Sequence, residues 1–275
     1  MGGGGPLEEK VEGTLIIIGG AEDKKGEKEI LTTVCSKINK EDDELVIATV
    51  ATESPIEVGA QYRTIFEGLG ARKVNILNVS NREDACAKEN LEMVKKAALV
   101  FFTGGDQLRI TSILGGTPLY NCFLECYEEG CVFVGTSAGA SVMSENMIVN
   151  GPDDESPKKC TLKMAPGLGL VKGVIIDQHF AQRGRIGRLL VGVAENPQSL
   201  GIGIDEDTAI EVNSQGLFTV LGSGAVYVID GSTISRSNVS EQYPNEVLSI
   251  FDIKLHVLKS GDRYDINSRT PFADE

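Results

Sequence analysis

The chain has 275 residues, of which 41% are hydrophobic and 24% are charged, a composition typical of a globular α/β protein. Its formal net charge of −14 argues against nucleic acid or anionic lipid as a partner, because either would repel most of the surface, and suits a cationic or zwitterionic substrate. No apolar run approaches the ~20 residues of a membrane span, and the amino-terminal residues lack the basic start and apolar core of a signal peptide.

These features predict a cytoplasmic protein, and the length favours one domain over residues 1–275. Residues 1–12 are expected to be flexible. The polar tail, residues 261–275, is expected to be partly disordered.

Apolar runs alternate with amphipathic segments through the first half of the chain. Strands that alternate with helices of this length imply parallel pairing with right-handed crossovers, and therefore a three-layer α/β/α sheet. In such a sheet, ligands gather beyond the carboxyl ends of the strands. Strands are predicted over residues 14–18, 45–50, 74–77, 98–102 and 131–134, and helices over 27–37, 57–69, 84–96, 108–114 and 119–127.

The stretch CVFVGTSAGAS, residues 131–141, changes from a buried strand to a turn made of small residues. Gly135-Thr-Ser-Ala-Gly139 fits the G-x-S-x-G nucleophile elbow, which exposes the Ser137 hydroxyl at the carboxyl end of the sheet. The turn also aims the Ala138 amide at the place where a carbonyl oxygen would become negative. The alternative is a glycine-rich turn whose serine merely caps the helix.

The residues after the predicted fourth strand, Thr103-Gly-Gly-Asp-Gln107, leave backbone amides open to a ligand. Gly105 or Gly104 is therefore a candidate second oxyanion donor, and Gln107 is a candidate substrate contact. The alternative is an ordinary turn in which Asp106 caps the next helix, and both interpretations can hold together.

A nucleophilic serine needs a base, and imidazole is the usual one because its pKa lies near 6.5. The chain has two histidines. His179 ends an apolar strand on the side of the sheet where the serine should emerge, whereas His256 lies in an alternating run typical of an edge strand. His179 is the expected base, and a structural histidine is the alternative.

Arg183, Arg185 and Arg188 follow that histidine closely in an otherwise acidic chain. Guanidinium groups bind carboxylates bidentately, so the cluster predicts a substrate that carries carboxylates. Pairing with surface Asp or Glu is the alternative for each arginine.

The base also needs a carboxylate that fixes its tautomer. Asp205, Glu206 and Asp207 follow a strand predicted over residues 201–204, and Asp177 shares a face with His179 in an extended chain. Position alone leaves all four open.

Three further strands, 209–212, 217–221 and 225–229, are predicted to form β-hairpins after the parallel sheet. The polar residues 151–160 predict an exposed loop, either a connector or a lid. Cys122, Cys126 and Cys131 lack the C-x2-C spacing of zinc sites, and the first two fit core positions of a helix in a reducing compartment. That spacing leads us to expect no metal. Gly19-Gly20 does not continue into a dinucleotide fingerprint, so we expect no cofactor either.

Together these pieces resemble the cyanophycinases, relatives of the aspartyl dipeptidases, over residues 13–258. DQHF with the arginines that follow it is the most specific feature, because aspartyl dipeptidases share the elbow but little of the arginine cluster. The resemblance rests on IIGGAED (17–23), FTGGDQLR (102–109), GTSAGAS (135–141), APGLGL (165–170), DQHF (177–180) with RGRIGRL (183–189), and GIGIDEDTA (201–209).

The resemblance implies a flavodoxin-like fold, similar to class I glutamine amidotransferases, with Ser137 as nucleophile, His179 as base and Glu206 as orienting carboxylate. The family hydrolyses cyanophycin, a poly-aspartate with arginine on each side-chain carboxyl, to β-aspartyl-arginine dipeptides. The resemblance also implies a homodimer. The substrate pocket implied by the resemblance is lined by Gln107, Asp177, Gln178, Arg183, Arg185 and Arg188.

Two other functions fit the same residues. An α-aspartyl dipeptidase would use the same triad on free dipeptides, and a non-catalytic protein could keep the fold and bind acidic or zwitterionic peptides. A glutaminase-like relative is disfavoured because it would carry cysteine at position 137.

Overall fold

A computed structural model describes residues 13–241 and 243–273. The predicted flexible segment 1–12 lies outside the described residues. The helices are α1 (Glu29–Cys35), α2 (Pro55–Gly68), α3 (Lys88–Lys95), α4 (Gln107–Leu114), α5 (Pro118–Glu128), α6 (Ala138–Ser141) and α7 (Ile186–Glu195). The strands are β1 (Leu15–Ile18), β2 (Glu44–Ala48), β3 (Lys73–Leu77), β4 (Ala97–Phe102), β5 (Val132–Thr136), β6 (Asn146–Asn150), β7 (Lys163–Pro166), β8 (Val174–Gln178), β9 (Leu200–Ile204), β10 (Thr208–Val212), β11 (Leu217–Gly222), β12 (Val226–Asp230), β13 (Arg236–Ser237), β14 (Ile250–Phe251), β15 (Lys254–Leu258), β16 (Arg263–Asp265) and β17 (Thr270–Phe272).

The central sheet runs in the order β17-β16-β11-β10-β1-β5-β4-β2-β3. Strands β1, β5, β4, β2 and β3 are parallel, as predicted, and β10 begins an antiparallel extension at β1. Because the parallel strands share one direction, the ends of β1, β4 and β5 lie side by side, where the sequence places its Gly-rich turns.

Both faces of this sheet are buried under helices. In β1, Leu15 and Ile17 pack with residues of α4 and α5 on one face, while Ile16 and Ile18 pack with residues of α1 and α2 on the other. This alternation is the physical basis of a three-layer α/β/α fold. The predicted fold class is confirmed.

One predicted helix is interrupted. Residues 84–96 form a 3-10 turn over Asp84–Cys86, then an extended residue, Ala87 (ψ 131°), and only then α3. Asp84 Oδ2 accepts a hydrogen bond from the Ser80 amide at 2.8 Å, which ties the turn to the preceding loop instead of to the helix.

The predicted hairpin between β11 and β12 is wrong. Strand β12 pairs with β9 and β15 in a second sheet of order β15-β12-β9-β8. The Gly224 amide donates to Thr208 Oγ1 at 2.8 Å and the Ala225 amide to Asp205 Oδ2 at 3.1 Å. These two bonds draw the chain away from β11.

The prediction of a partly disordered tail is also wrong for residues 261–273. They form β16 and β17 at the edge of the central sheet, where Tyr264 is fully buried and its ring stacks on that of Phe218 at 5.6 Å. One aromatic side chain anchors a segment whose composition is otherwise polar. Residues 274–275 lie outside the described part of the chain.

No helix in residues 13–241 and 243–273 is long and apolar enough to cross a bilayer.

Phe133 on β5 tests the packing of the central sheet, because its ring lies 5.7 to 6.2 Å from those of Phe102, Phe123 and Tyr127 and is fully buried. Phe133→Ala should lower the free energy of unfolding by about 3–5 kcal/mol, measured in urea. Ile56→Ala, at a position 81% exposed, is the control and should change it by less than about 0.5 kcal/mol. Equal losses in the two variants would contradict this packing.

Candidate active site

The turn from β5 into α6 holds Ser137 in an uncommon backbone conformation, with φ 54° and ψ −112°. The turn is tight, since a Cβ on Gly135 would lie 2.1 Å from the Gly139 carbonyl oxygen. Among the described residues the Ser137 side chain makes no capping bond to α6. Its Oγ lies 2.9 Å from His179 Nε2 instead, so the helix-cap interpretation is wrong.

His179 follows the carboxyl end of β8 and also has a positive φ, 50°. Its ring stands between two polar partners, because Nδ1 lies 2.7 Å from Glu206 Oε1 while Nε2 faces Ser137. The neutral tautomer that suits both contacts carries its proton on Nδ1, donates to the carboxylate and accepts from the hydroxyl. The predicted proximity of Ser137 and His179 is confirmed.

Gly20 makes room for that ring. A Cβ at this position would lie 2.4 Å from His179 Cε1 and 2.5 Å from Nε2, and Gly20 itself has φ 99°. Only glycine combines this conformation with so close an approach.

The four candidate carboxylates have different partners. Asp205 Oδ1 and Oδ2 accept from the amides of Ala181 and Ala225, so this side chain ties two loops together. Asp207 Oδ1 accepts from the Asp23 amide at 2.9 Å. Glu206 is the one that contacts His179, and the Glu206 amide is held by Gln182 Oε1 at 3.0 Å. The fourth candidate, Asp177, accepts hydrogen bonds from Arg188 instead of contacting His179.

Burial of the imidazole lowers the pKa of His179 from its ordinary value, since desolvation disfavours the charged ring. The hydrogen bond to Glu206 opposes this shift, while the positive charges of Arg183 and Arg185 add to it. A lowered pKa keeps Nε2 free to accept a proton at neutral pH.

The start of α6 and the Gly104-Gly105 turn lie next to Ser137. Ala138 begins α6, so its amide has no earlier helical turn to bond. Gly104 approaches closely, since a Cβ on it would be 3.8 Å from Ser137 Oγ. Gly105 follows with φ 147°, and Asp106 Oδ1 accepts from the Leu108 amide at 2.8 Å, so the predicted cap of α4 is confirmed.

Two of the three arginines are buried in a charge network. Arg188 donates to both carboxylate oxygens of Asp177, and Arg185 Nε donates to Asp153 Oδ1 at 2.9 Å. Arg188 also reaches Asp153 at 3.1 Å, and Asp177 is fully buried. Two guanidiniums thus face two carboxylates, which matches the internal pairing weighed for these arginines, with one of the two acids deep in the core.

Arg183 differs from its neighbours. It is exposed, and its guanidinium has no hydrogen bond or ion pair to any residue that the structure describes. Its positive charge nonetheless contributes to the lowered pKa of His179. It is therefore a cation available to a ligand beside the Ser137–His179 contact.

The two glutamines of the predicted pocket are both engaged. Gln107 Nε2 donates to the carbonyls of Ile148 and Val149 at 2.9 and 3.2 Å, so it ties α4 to β6. Gln178 is buried, and its backbone carbonyl accepts from Arg185 at 2.7 Å. The loop 151–160 contacts Arg185 and Arg188 through Asp153, and its role as a lid stays a prediction.

The cysteines contribute nothing to this site. Cys122 and Cys126 are buried on α5, as predicted. Within the described ranges no group of three His, Cys, Asp or Glu side chains is arranged to hold a metal ion.

Sequence reasoning missed three side chains that support the site: Glu22, Asp153 and Gln182. Glu22 lies within the IIGGAED motif, so the motif was a signal, but its partners are far away in the chain. Asp153 and Gln182 sit in polar loops whose composition gives no sign of what they contact.

The Arg183 charge can be tested without any substrate. Arg183→Gln should raise the pKa of His179, because a positive charge that opposes protonation of the ring is lost. NMR titration of the two histidines measures this, with His256→Gln for assignment. Arg236→Gln, in β13, should leave the pKa unchanged, and an unchanged or lower pKa in Arg183→Gln would contradict the placement of this charge.

Comparison with known proteins gives the family of the chain. Residues 15–220 match the sequence profile of Peptidase family S51. The cyanophycinase of Synechococcus elongatus is 38% identical over 258 residues, 94% of this chain and 80% of that protein. The cyanophycinase of Geminocystis herdmanii is 37% identical over 268 residues, 97% of this chain and 98% of that protein.

Solved structures show the same fold. The crystal structure of a peptidase from an acI-B1 Actinobacterium is 25% identical and has a TM-score of 0.61, covering 90% of this chain and 98% of that one. A putative Peptidase E protein from Listeria monocytogenes, 16% identical, has a TM-score of 0.54 and covers 78% and 100%. The chain therefore belongs to Peptidase family S51.

Proposed function

We propose that this chain is a serine exopeptidase that hydrolyses cyanophycin to β-aspartyl-arginine dipeptides. The observation that carries the proposal is the unbroken series of hydrogen bonds from Ser137 through His179 to Glu206. The cyanophycinases that are 37–39% identical over 93% or more of the chain support the choice of substrate.

In acylation, Ser137 Oγ attacks the backbone carbonyl carbon of a β-aspartyl-arginine unit while His179 Nε2 takes the hydroxyl proton. Glu206 stabilises the imidazolium that forms. The negative oxygen of the tetrahedral intermediate accepts hydrogen bonds from the amides of Ala138 and of Gly105 or Gly104. The intermediate then collapses with cleavage of the C–N bond, and His179 donates its proton to the leaving amine.

In deacylation, water attacks the ester carbon on Ser137 and His179 takes a proton from the water. Cleavage of the ester bond releases the product carboxylate, and the proton returns to Ser137 Oγ. One water is consumed for each dipeptide, and no metal or cofactor takes part in this scheme.

The role of each pocket residue is assigned from the partners that it contacts. We assign Arg183 to a carboxylate of the substrate, since its guanidinium is unpaired among the described residues. Asp177, Arg185 and Arg188 form the buried wall that fixes β8 and α7 beneath it, and Gln107 and Gln178 complete the pocket through their remaining polar atoms. Leaving any one of the buried charges unpaired would cost about 3–5 kcal/mol.

The polymer also needs room beyond the reacting unit. A cavity of about 740 Å³ has Gly105, Glu53 and Arg109 among the residues that line it. A carboxylate and a guanidinium suit a substrate that repeats both charges, so we propose that this cavity receives the adjoining part of the polymer.

We further propose that the chain acts as a single peptidase domain, in the cytoplasm, as a homodimer. All six cysteines are free thiols, as in proteins of a reducing compartment.

Ser137→Ala should reduce kcat/KM for cyanophycin by about 10⁴-fold or more while leaving the unfolding curve unchanged, because the nucleophile is lost but the turn is kept. Mass spectrometry of released β-aspartyl-arginine measures the rate. An organophosphonate should label the unaltered enzyme at Ser137 and leave Ser137→Ala unlabelled.

Two results would contradict the proposal. Cleavage of an α-Asp-Leu dipeptide in preference to cyanophycin would identify an α-aspartyl dipeptidase. Absence of labelling and turnover would identify a binding protein.

Arg183→Gln should raise KM for cyanophycin about tenfold or more and leave kcat nearly unchanged at about pH 8, above the ordinary pKa of histidine. At lower pH the acid limb of kcat/KM should move to higher pH in the variant, following the raised pKa of His179. Arg236→Gln is the matched control. An unchanged KM in Arg183→Gln would remove this arginine from the pocket.

A further inference from the structure

The segment from the last residue of β1, Ile18, to Asp23 contacts the chain at each strained turn of the site. The Ser137 amide donates to the Ile18 carbonyl at 3.1 Å, and the His179 amide donates to the Gly19 carbonyl at 2.8 Å. Both donors are residues with positive φ. One short segment therefore fixes the backbone of the two residues that must meet.

The same segment holds the turn that carries Glu206. The Asp207 amide donates to the Gly20 carbonyl at 2.9 Å, and Asp207 Oδ1 accepts from the Asp23 amide at 2.9 Å. Because Asp207 directly follows Glu206, this pair of bonds sets where the Glu206 carboxylate stands relative to the imidazole.

Glu22 is the part of the segment that reaches the nucleophile's own strand. Glu22 is 3% exposed, and its Oε2 accepts from Thr136 Oγ1 at 2.6 Å. Oε1 accepts from the Tyr62 hydroxyl and from Lys24 Nζ at 2.9 Å. Thr136 is the last residue of β5 and directly precedes Ser137.

A carboxylate in this place needs an explanation, since burying a charged group is costly unless all its partners are present. The series Ser137–His179–Glu206 is complete without Glu22. Burial, and then the negative charge of Glu22, raise the pKa of Tyr62, so the Tyr62 hydroxyl stays protonated and donates. Thr136, Tyr62 and Lys24 therefore all donate to one acceptor, the Glu22 carboxylate, next to the elbow.

We propose that Glu22 is a positioning residue: by holding Thr136, it keeps the strained Ser137 turn aligned with His179. The inference rests on the proposed function for the identity of the nucleophile. Glu22 acts through Thr136 and touches no reacting atom, so its loss should slow the chemical step without weakening substrate binding.

Glu22→Gln and Thr136→Val test this, since the first replaces a carboxylate oxygen by an amide donor and the second removes the hydroxyl at constant shape. Each should lower kcat for cyanophycin about 10- to 100-fold, because small misplacements of a reacting group have effects of that size, and leave KM within about threefold. The rate of Ser137 labelling by the organophosphonate should fall by a similar factor. The double variant should be no slower than the slower single variant, because both act through one contact.

Glu211→Gln is the matched control. Glu211 lies on β10 opposite Ile16 of β1, and its half-buried carboxylate pairs with Lys37 Nζ at 2.5 Å, away from the elbow. It should keep the kcat and labelling rate of the unaltered protein. Glu22→Asp should recover part of the rate, since it restores a carboxylate acceptor.

Folded Glu22→Gln and Thr136→Val with unchanged kcat and labelling rate would overturn the inference. So would a rise in KM alone, or failure of both variants to fold, since the network would then serve substrate binding or stability. The labelling rate needs no polymer, so it separates this inference from the choice of substrate. Hydrolysis that is lost in Ser137→Ala but unaffected in Glu22→Gln leaves the proposed function standing.

Discussion

The hydrogen bond between Ser137 Oγ and His179 Nε2 joins two residues that would not adopt their backbone conformations by themselves. Both have positive φ, which costs of order 1–3 kcal/mol for each residue other than glycine. The surrounding fold has to supply that energy. It does so through two amides that donate to consecutive carbonyls, Ile18 and Gly19, at the end of β1. The strand next to β5 in the sheet is thus the support for the site, and the parallel order of β1 and β5 is what brings that support to the correct end.

Charge is the second constraint. The chain carries a formal net charge of −14, yet it buries two guanidiniums beside His179. Those charges are tolerated because Asp177 and Asp153 oppose them, and a buried pair that loses one partner is strongly destabilised. Once these arginines are satisfied internally, Arg183 is the member of the cluster whose guanidinium has no partner in the described part of the chain. A cluster that looked uniform in sequence therefore divides into a structural pair and an exposed cation.

The sequence was informative where local patterns decide the structure. The β5 strand, the elbow and the small residues around it follow from a change in periodicity. The contact of Ser137 with His179 was expected at one edge of a single sheet, but β5 and β8 belong to different sheets, and the two turns meet where both bond to the end of β1 and the glycine after it. The choice among Asp205, Glu206 and Asp207 does not follow, because consecutive carboxylates differ only in direction, and that direction is set by Asp207 at φ 49° and its bond to Gly20. The course of β12 was missed for a similar reason, since two side-chain acceptors, Thr208 and Asp205, redirect a chain that glycines leave free to turn.

The same reasoning explains why a nucleophile motif alone does not specify a site. The elbow needs only five residues, and small side chains satisfy its local geometry. Its alignment depends on partners that lie far away in the chain, since Glu22 is 114 residues from Thr136 and Ser137 is 42 from His179. Such contacts exist only after the sheet has formed, so no spacing rule within the motif can encode them. The sequence does show which residues those distant contacts require. Position 20 has to be glycine, because any side chain there would meet the imidazole. Position 22 carries a carboxylate that is buried only because its partners surround it.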